Sequence, residues 1–283
     1  MEGLYIYSYL FENLIFTITL TSLIVIVFYY FFFFINLNYY KSNTKDFNQP
    51  ISIILCAKNE IENLQQNIPL LLAQKYFDFE IVVVNDQSSD NSLLYLESIS
   101  NKHKNLNIVN IDNFVNHSEG KKFALTLGIK TAKHDYLLLT DADCKPDSNE
   151  WVKKMSRNFN NSDIILGFGG YKKEQGLLNK IIRYDTFNVA QQYLSFSLRN
   201  HTYMGVGRNL AYKKSLFFDN KGFASHIHIP SGDDDLFIQE ISKGKKVSIE
   251  IDTNSHTTSE VSNSLNEWVY QKRRHLSTSP IYK

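Results

Sequence analysis

From Asn13 to Tyr40, 28 consecutive residues contain no Asp, Glu, Lys, Arg or His. Its centre, Leu14 to Ile35, reads LIFTITLTSLIVIVFYYFFFFI, 22 residues in all. A helix crossing the hydrocarbon core of a bilayer needs roughly 20. Thr17, Thr19, Thr21 and Ser22 fit such a helix because a hydroxyl bonds back to the helix backbone. Tyr29, Tyr30, Tyr39 and Tyr40 suit an interfacial aromatic belt. A core helix of a soluble protein would show a polar face, and this segment has none. A secretory signal would open with basic residues, whereas Glu2 and Glu12 lead here. The chain is expected to comprise a membrane anchor and linker over residues 1–48, with the span at about 14–35, and a domain over residues 49–283. Lys41 and Lys45 follow the span and no basic residue precedes it. The positive-inside rule then puts the domain in the cytoplasm. Two cysteines, Cys56 and Cys144, fit that reducing compartment and exclude a disulfide framework.

After Pro50 the pattern becomes strand and helix in alternation. ISIILC (51–56), EIVVVN (80–85) and YLLLT (136–140) are short apolar runs of the kind that form strands buried on both faces. NLNIVNI (105–111) is a weaker one. Helical segments are expected from an N-cap at Asn59 to about Lys75, from Ser92 to about Lys102, and from Lys121 to Ala132. This alternation predicts an α/β fold, a mostly parallel, Rossmann-like sheet with helices on both faces. The second half alternates less regularly. It has a strand-like DIILGF (163–168), a helix over Leu177–Leu198, a glycine-containing loop (MGVGRN, 204–209), an acidic cluster (GDDDLF, 232–237) and an amphipathic stretch through Trp268.

Ligands of such sheets bind beyond the carboxyl ends of the strands. Three polar clusters follow strands here: AKNE, NDQSSD and DADC. Asp141 and Asp143 flank Ala142, and an extended backbone would point both to the same side. Paired carboxylates at a strand mouth suit Mg²⁺ or Mn²⁺, which take oxygen ligands and share substrate phosphates. The near-neutral balance, 30 Lys+Arg against 29 Asp+Glu for a net charge of +1, argues against nucleic acid as a partner. The histidines His103, His117, His134, His201, His226, His228 and His256 show no zinc spacing and read mostly as surface residues. Cys144 has no base placed to activate it and reads as filler.

The ordered set ILCAKNE, VVVNDQSSD, GKKFAL, LLLTDADCKPD, GRNLAY, GDDDLF and QKRRH resembles a membrane-associated family 2 glycosyltransferase with the GT-A fold. It is similar to the branch containing cellulose, chitin and hyaluronan synthases and their non-processive relatives. The resemblance spans about Ile51 to His275. It implies a nucleotide-sugar half at about 51–150 and an acceptor half at about 151–283. Asp86 would pair with the nucleotide base, with Ala57 and Glu60 lining the same pocket. Lys121 or Lys122 matches the basic residue near the nucleotide. Asp141 and Asp143 match the metal motif, with Asp143 favoured for direct coordination of a divalent cation. GDDDLF matches the catalytic acidic motif: aligning Gly232 selects Asp234 as general base, aligning Leu236 selects Asp233, and Asp234 is narrowly favoured. QKRRH matches a Gln-x-x-Arg-Trp motif through Gln271 and Arg274, Arg274 suiting a diphosphate, but His275 replaces the Trp.

The resemblance implies an inverting transfer of a sugar from a nucleotide-diphosphate donor, a UDP-hexose or UDP-N-acetylhexosamine, to a lipid-linked or glycan hydroxyl at the membrane. Membrane lipids and a membrane partner protein are the further partners expected. The other readings are a membrane-tethered nucleotide-binding scaffold without turnover and a sugar nucleotidyltransferase. The latter would want a Gly- and Arg-rich loop after the first strand, and AKNEIEN is not that. Relatives usually carry further membrane helices beyond the Gln-x-x-Arg motif, whereas this sequence runs eight residues past His275. Either the sequence is truncated before those helices or it works with one anchor; the missing Trp and the second alternative favour single-sugar transfer.

Overall fold

The computed structural model describes residues 2–111, 120–262 and 264–282. His117 lies outside them. The chain divides into two compact units, 1–41 and 42–283.

The first unit is helical throughout: α1 (Glu2–Tyr29), a π-helical turn (Tyr30–Phe34) and α2 (Ile35–Tyr39). The stretch Phe11–Tyr39 is long and apolar enough to cross a membrane. It is longer at both ends than the expected span. The hydroxyls of Thr17 and Thr21 donate to the carbonyls of Asn13 and Thr17 at 2.8 and 2.7 Å, the back-bonding expected of them. Asn36 donates to the Phe32 and Phe33 carbonyls beside the π turn.

The second unit begins at Ser42 rather than at residue 49. Residues expected as linker are bonded into it. Asn43 donates to the Arg157 carbonyl, Asp46 pairs with Arg157 at 2.7 Å, and the Phe47 ring meets Tyr136 and Phe159.

Its elements run β1 (Ile51–Ala57), α3 (Ile61–Leu72), β2 (Phe79–Asp86), α4 (Ser92–Ser100), β3 (Leu106–Ile111), α5 (Lys121–Thr131), β4 (Tyr136–Leu139), β5 (Cys144–Pro146), α6 (Trp151–Ser156), β6 (Ile164–Leu166), β7 (Gly169–Tyr171), α7 (Leu177–Leu198), β8 (Leu210–Lys213), α8 (Lys214–Asp219), α9 (Asp235–Ile241), β9 (Val247–Ile249), β10 (Thr257–Ser259) and α10 (Leu265–Leu276). The main sheet has the order β3-β2-β1-β4-β8-β6-β9. The first four strands are parallel, and β8 is antiparallel to both its neighbours. A small second sheet, β5-β10-β7, stands apart from it.

The buried runs follow the strand period of two. Ile51, Ile53, Leu55 and Ala57 pack with Leu64, Ile68 and Leu71 of α3 and with Trp151 of α6. On the other face Val84 and Ile111 pack with Ala124 of α5. Gly128 lets α5 lie flat on the sheet, since a Cβ there would come within 2.9 Å of both the Ile54 and the Val84 methyls. Gly128→Ala is therefore expected to cost about 1–3 kcal/mol, the usual penalty of overpacking. A lower denaturant midpoint with an unchanged slope would report it. The mostly parallel α/β architecture is as expected. The strand order reverses between β1 and β4, which opens a crevice at their carboxyl ends.

Candidate functional site

Ala57 ends β1, buried to 1% exposure and paired in register with Asn85, so Asp86 of β2 stands at the same edge, half-buried. Asn59 does not cap a helix as expected. It takes a left-handed backbone (φ 57°), and its side-chain oxygen accepts from the backbone N–H groups of Ser89 and Asp90 at 2.7 and 3.4 Å. Asn tolerates that conformation because its short amide bonds locally. The helix-capping work falls to Asp90, which accepts from Ile61 N–H at the start of α3 and Ser92 N–H at the start of α4. AKNE and NDQSSD are thus one cross-bonded structure. Glu60 emerges from it toward the crevice, its carboxylate accepting from Asn63 at 2.6 Å.

β4 delivers Asp141 and Asp143. Thr140 continues the pairing through its N–H to the Ile54 carbonyl, and its hydroxyl donates to the Arg208 carbonyl. The chain then turns instead of staying extended, with Cys144 N–H donating to the Asp141 carbonyl at 3.1 Å. The two carboxylates still converge, through the turn rather than strand alternation. Their oxygens and the Cys144 sulfur all lie within 4.8 Å of one another. Burial and the neighbouring Asp141 charge push Asp143 above the usual carboxylate range, against the pull of the Arg208 guanidinium. Cys144 is more than filler in position, its Sγ 3.1 Å from the Ser259 hydroxyl, yet burial and the two aspartates hold it firmly as a thiol. A neutral thiol is a poor ligand for a hard cation. The donor set fits Mg²⁺ or Mn²⁺ through the two carboxylates, with phosphate oxygens to complete it.

The three aspartates after Gly232 have different surroundings. Gly232 (φ 95°) makes the turn, and a Cβ there would sit 2.6 Å from the Leu236 side chain. Asp233 pairs with the Lys121 ammonium at 3.0 Å. Asp234 caps α9, accepting from Asp235 N–H, and its other oxygen accepts from Gly207 N–H, both at 2.8 Å. Asp235 is buried and bound by the hydroxyls of Thr278 and Tyr282, with Leu236 N–H on its second oxygen. Burial, then the charges of Asp233 and Asp235, push Asp234 up to about 7. Burial acts the same way on Asp233, but Lys121 outweighs it and holds that carboxyl low.

Lys121 joins the two acidic groups, 2.7 Å from Asp141 and 3.0 Å from Asp233. Burial disfavours its charge, and the surrounding carboxylates more than restore it. Lys122, the other expected candidate, turns away. It is buried and donates to the His226 and Ile229 carbonyls, bracing the loop ahead of the triplet. His226 is buried there too, 3.5 Å from Glu240, and is not the surface residue expected.

Arg208 is the cation that sequence reasoning missed. It precedes β8, the antiparallel neighbour of β4, so it stands where β4 releases Asp141. Its guanidinium lies 4.6 Å over the Tyr171 ring. The Tyr171 hydroxyl donates to Gln271 of α10, which ties the Gln-x-x-Arg helix to the site. Arg274 is exposed on the last turn of α10 and has no hydrogen bond from its side chain among the described residues. A polar cleft opens at Asp143, lined also by Asn63, Gln66, Lys145, Lys172 and Glu260.

The family model for glycosyl transferase family 2 matches residues 52–219. The acidic triplet and QKRRH lie beyond it. An uncharacterised glycosyltransferase of Haemophilus influenzae is 30% identical over 135 residues, covering 45% of this chain and 40% of that protein. The poly-beta-1,6-N-acetyl-D-glucosamine synthase of Staphylococcus aureus is 33% identical over 134 residues, covering 46% and 31%. The matched stretch thus spans less than half of either relative. Among solved structures, a mannosyltransferase of Pyrobaculum calidifontis in complex with GDP-Man and Mn²⁺ has a TM-score of 0.69 at 17% identity, covering 88% of this chain and 69% of that one. S. aureus TarS 1-349 with UDP has a TM-score of 0.56 at 20% identity, covering 75% and 61%. These likenesses show the GT-A fold.

Proposed function

This chain belongs to glycosyl transferase family 2, and we propose that it moves a sugar, with inversion, from a UDP-hexose or UDP-N-acetylhexosamine to a lipid-linked or glycan hydroxyl at the cytoplasmic face of a membrane. The observation that carries the reading is the Lys121 bridge between Asp141 and Asp233, which ties a donor-side carboxylate pair to an acidic triplet on the opposite side of the crevice.

In this reading Asp86 accepts from the nucleobase, beside Ala57 and Glu60. Asp143, with Asp141, holds a divalent cation, which supplies Lewis-acid neutralisation of the leaving diphosphate. Lys121 and Arg208 face the same negative charge, with Gln271 and Arg274 closing over it. Asp234 takes the proton of the acceptor hydroxyl as that oxygen attacks the anomeric carbon and the nucleoside diphosphate departs. Asp235 is held by the hydroxyls of Thr278 and Tyr282, which gives it a positioning role in the loop. The complexes of the two structural neighbours, one with GDP-Man and Mn²⁺ and one with UDP, support a nucleotide donor. The S. aureus synthase supports an N-acetylhexosamine. The apolar Phe11–Tyr39 helix, with Lys41 and Lys45 after it, supports a membrane-bound enzyme facing the cytoplasm.

The test is titration of the solubilised protein with UDP, GDP and dTDP, with and without Mn²⁺. Tight, Mn²⁺-dependent binding of UDP is the expected result. Preference for GDP would replace the donor class, and metal-independent binding would remove the role given to Asp143.

A further inference from the structure

α5 opens with two lysines, and only the first of them, Lys121, reaches the acids of the crevice directly. Lys122 is 4% exposed. A buried ammonium is costly unless it is hydrogen-bonded and its charge is met. An apolar side chain would fill the same space without desolvating a charge, so the cation's contribution lies in what it holds. Its Nζ donates to the His226 carbonyl at 2.6 Å and to the Ile229 carbonyl at 3.0 Å. Two grips three residues apart make the segment between them curl around one point. The main chain follows that curl, with Ile229 N–H donating to the same His226 carbonyl at 3.1 Å. α9 holds the segment from its other side. Glu240 accepts from the Ser225 hydroxyl at 2.7 Å and the Asn220 amide at 3.1 Å, and lies 3.5 Å from His226 Nδ1. Gly232 follows directly, and its left-handed turn (φ 95°) delivers Asp233 and Asp234. Burial weakens the hold of Lys122 on its proton, while the charges of Asp233, Asp235 and Glu240 strengthen it.

We infer that Lys122 is a positioning residue of the acidic triplet: its ammonium is the post around which residues 226–229 are wound, and it sets where the Asp234 carboxylate stands and what charge lies beneath it. The purpose rests on the general-base reading of Asp234 above. Asp234 then has two anchors. Gly207 N–H fixes one of its oxygens at 2.8 Å, and Lys122 fixes the loop that brings it there. The first turn of one helix thereby serves both sides of the crevice. Lys121 reaches the donor-side Asp141, and Lys122 braces the loop that carries the base. Without the ammonium, two carbonyls ahead of the triplet lose a donor, which loosens a buried segment more than the loss of an exposed bond would.

The test compares Lys122→Met and Lys122→Gln with the wild type in the full, solubilised chain. Met keeps the length and removes both charge and donors; Gln keeps a donor without the charge. Amide hydrogen exchange without substrate reads the brace itself. Peptides over 222–235 are expected to exchange about 10-fold faster in the Met variant, with those of α3 and α4 unchanged. Kinetics read the purpose. In the Met variant kcat is expected to fall by about 10–100-fold, the scale of a small misplacement at the reacting atoms, and by less in the Gln variant. Donor KM and UDP affinity should stay within about threefold, since the lost interaction is not with the donor. The acid limb of the rate, set by a carboxyl at about 7, is expected to move up in both variants because a cation is lost beside it. The other charges around Asp234 stay in place: Lys121 on α5, and Asp233 and Asp235 beside it. Burial holds Tyr193 of α7 and Tyr282 neutral there. Faster loop exchange with kcat and the limb unchanged overturns the inference and leaves Lys122 a brace of the fold alone. Unchanged exchange overturns it as well. If the Met variant does not fold, the Gln variant is read by the same criteria. A wild type that transfers no sugar counts against the general-base reading, and the exchange result then decides the brace by itself.

Discussion

Asp234→Asn is expected to lower sugar transfer by about 10²–10⁴-fold, the usual contribution of a general base, while nucleotide binding stays within a few-fold. The wild-type profile gives the sign independently. Burial and the charges of Asp233 and Asp235 raise the Asp234 carboxyl to about 7, and only its deprotonated form accepts the proton. Transfer is therefore expected to rise with pH up to about 7 and to level off above it. The residual activity of the Asn variant should lack that limb. Asp233→Asn serves as the contrast. It frees Lys121 from one of its two carboxylates, so it is expected to change donor KM more than kcat. Initial rates from pH 5 to 9 for the three proteins decide the matter. Loss of the acid limb in the Asp233 variant but not in the Asp234 variant would exchange the two roles.

Asp143→Asn carries the second large effect. The substitution keeps the shape of the turn and removes one of the two carboxylates that would hold the cation. A bound metal contributes several kcal/mol to a developing diphosphate charge, so transfer is expected to fall by about 10²-fold or more. The enhancement of nucleotide affinity by Mn²⁺ should disappear with it. Asp141 is the internal comparison, because its carboxylate is shared with Lys121 at 2.7 Å. Calorimetric titration of UDP with and without Mn²⁺ reads the difference. Unchanged metal dependence in the Asp143 variant would move the ion elsewhere.

Much of this was legible in the sequence where a run was long and its burial complete. β1, β2 and β4 are mostly apolar because both their faces are covered, the buried Ser52 and Glu80 being bonded to each other, and the helix over Leu177–Leu198 has the bounds expected of it. The small sheet was not legible. GGY and TTS are strands of three residues, too short to show a period of two. Identical residues side by side were the other obstacle. Lys121 and Lys122 differ only in where the helix turns them, one to the acids and one to the His226 carbonyl. The three aspartates differ only in partners that lie far away in sequence. Arg208 escaped because its meaning depends on β8 running antiparallel beside β4, a pairing across some 70 residues. Asn59 was misread because its amide bonds to the next loop instead of to its own helix.

The hold of Thr278 and Tyr282 on Asp235 has a consequence for the order in which the molecule is made. The half that carries Asp86 and Asp141 can fold early on the emerging chain, since β1 to β4 pair with one another before β8 is made to join β4. Asp235 waits with its buried carboxylate short of two donors until residues 278–282 have left the ribosome. The acidic loop is therefore the last part of the crevice to set.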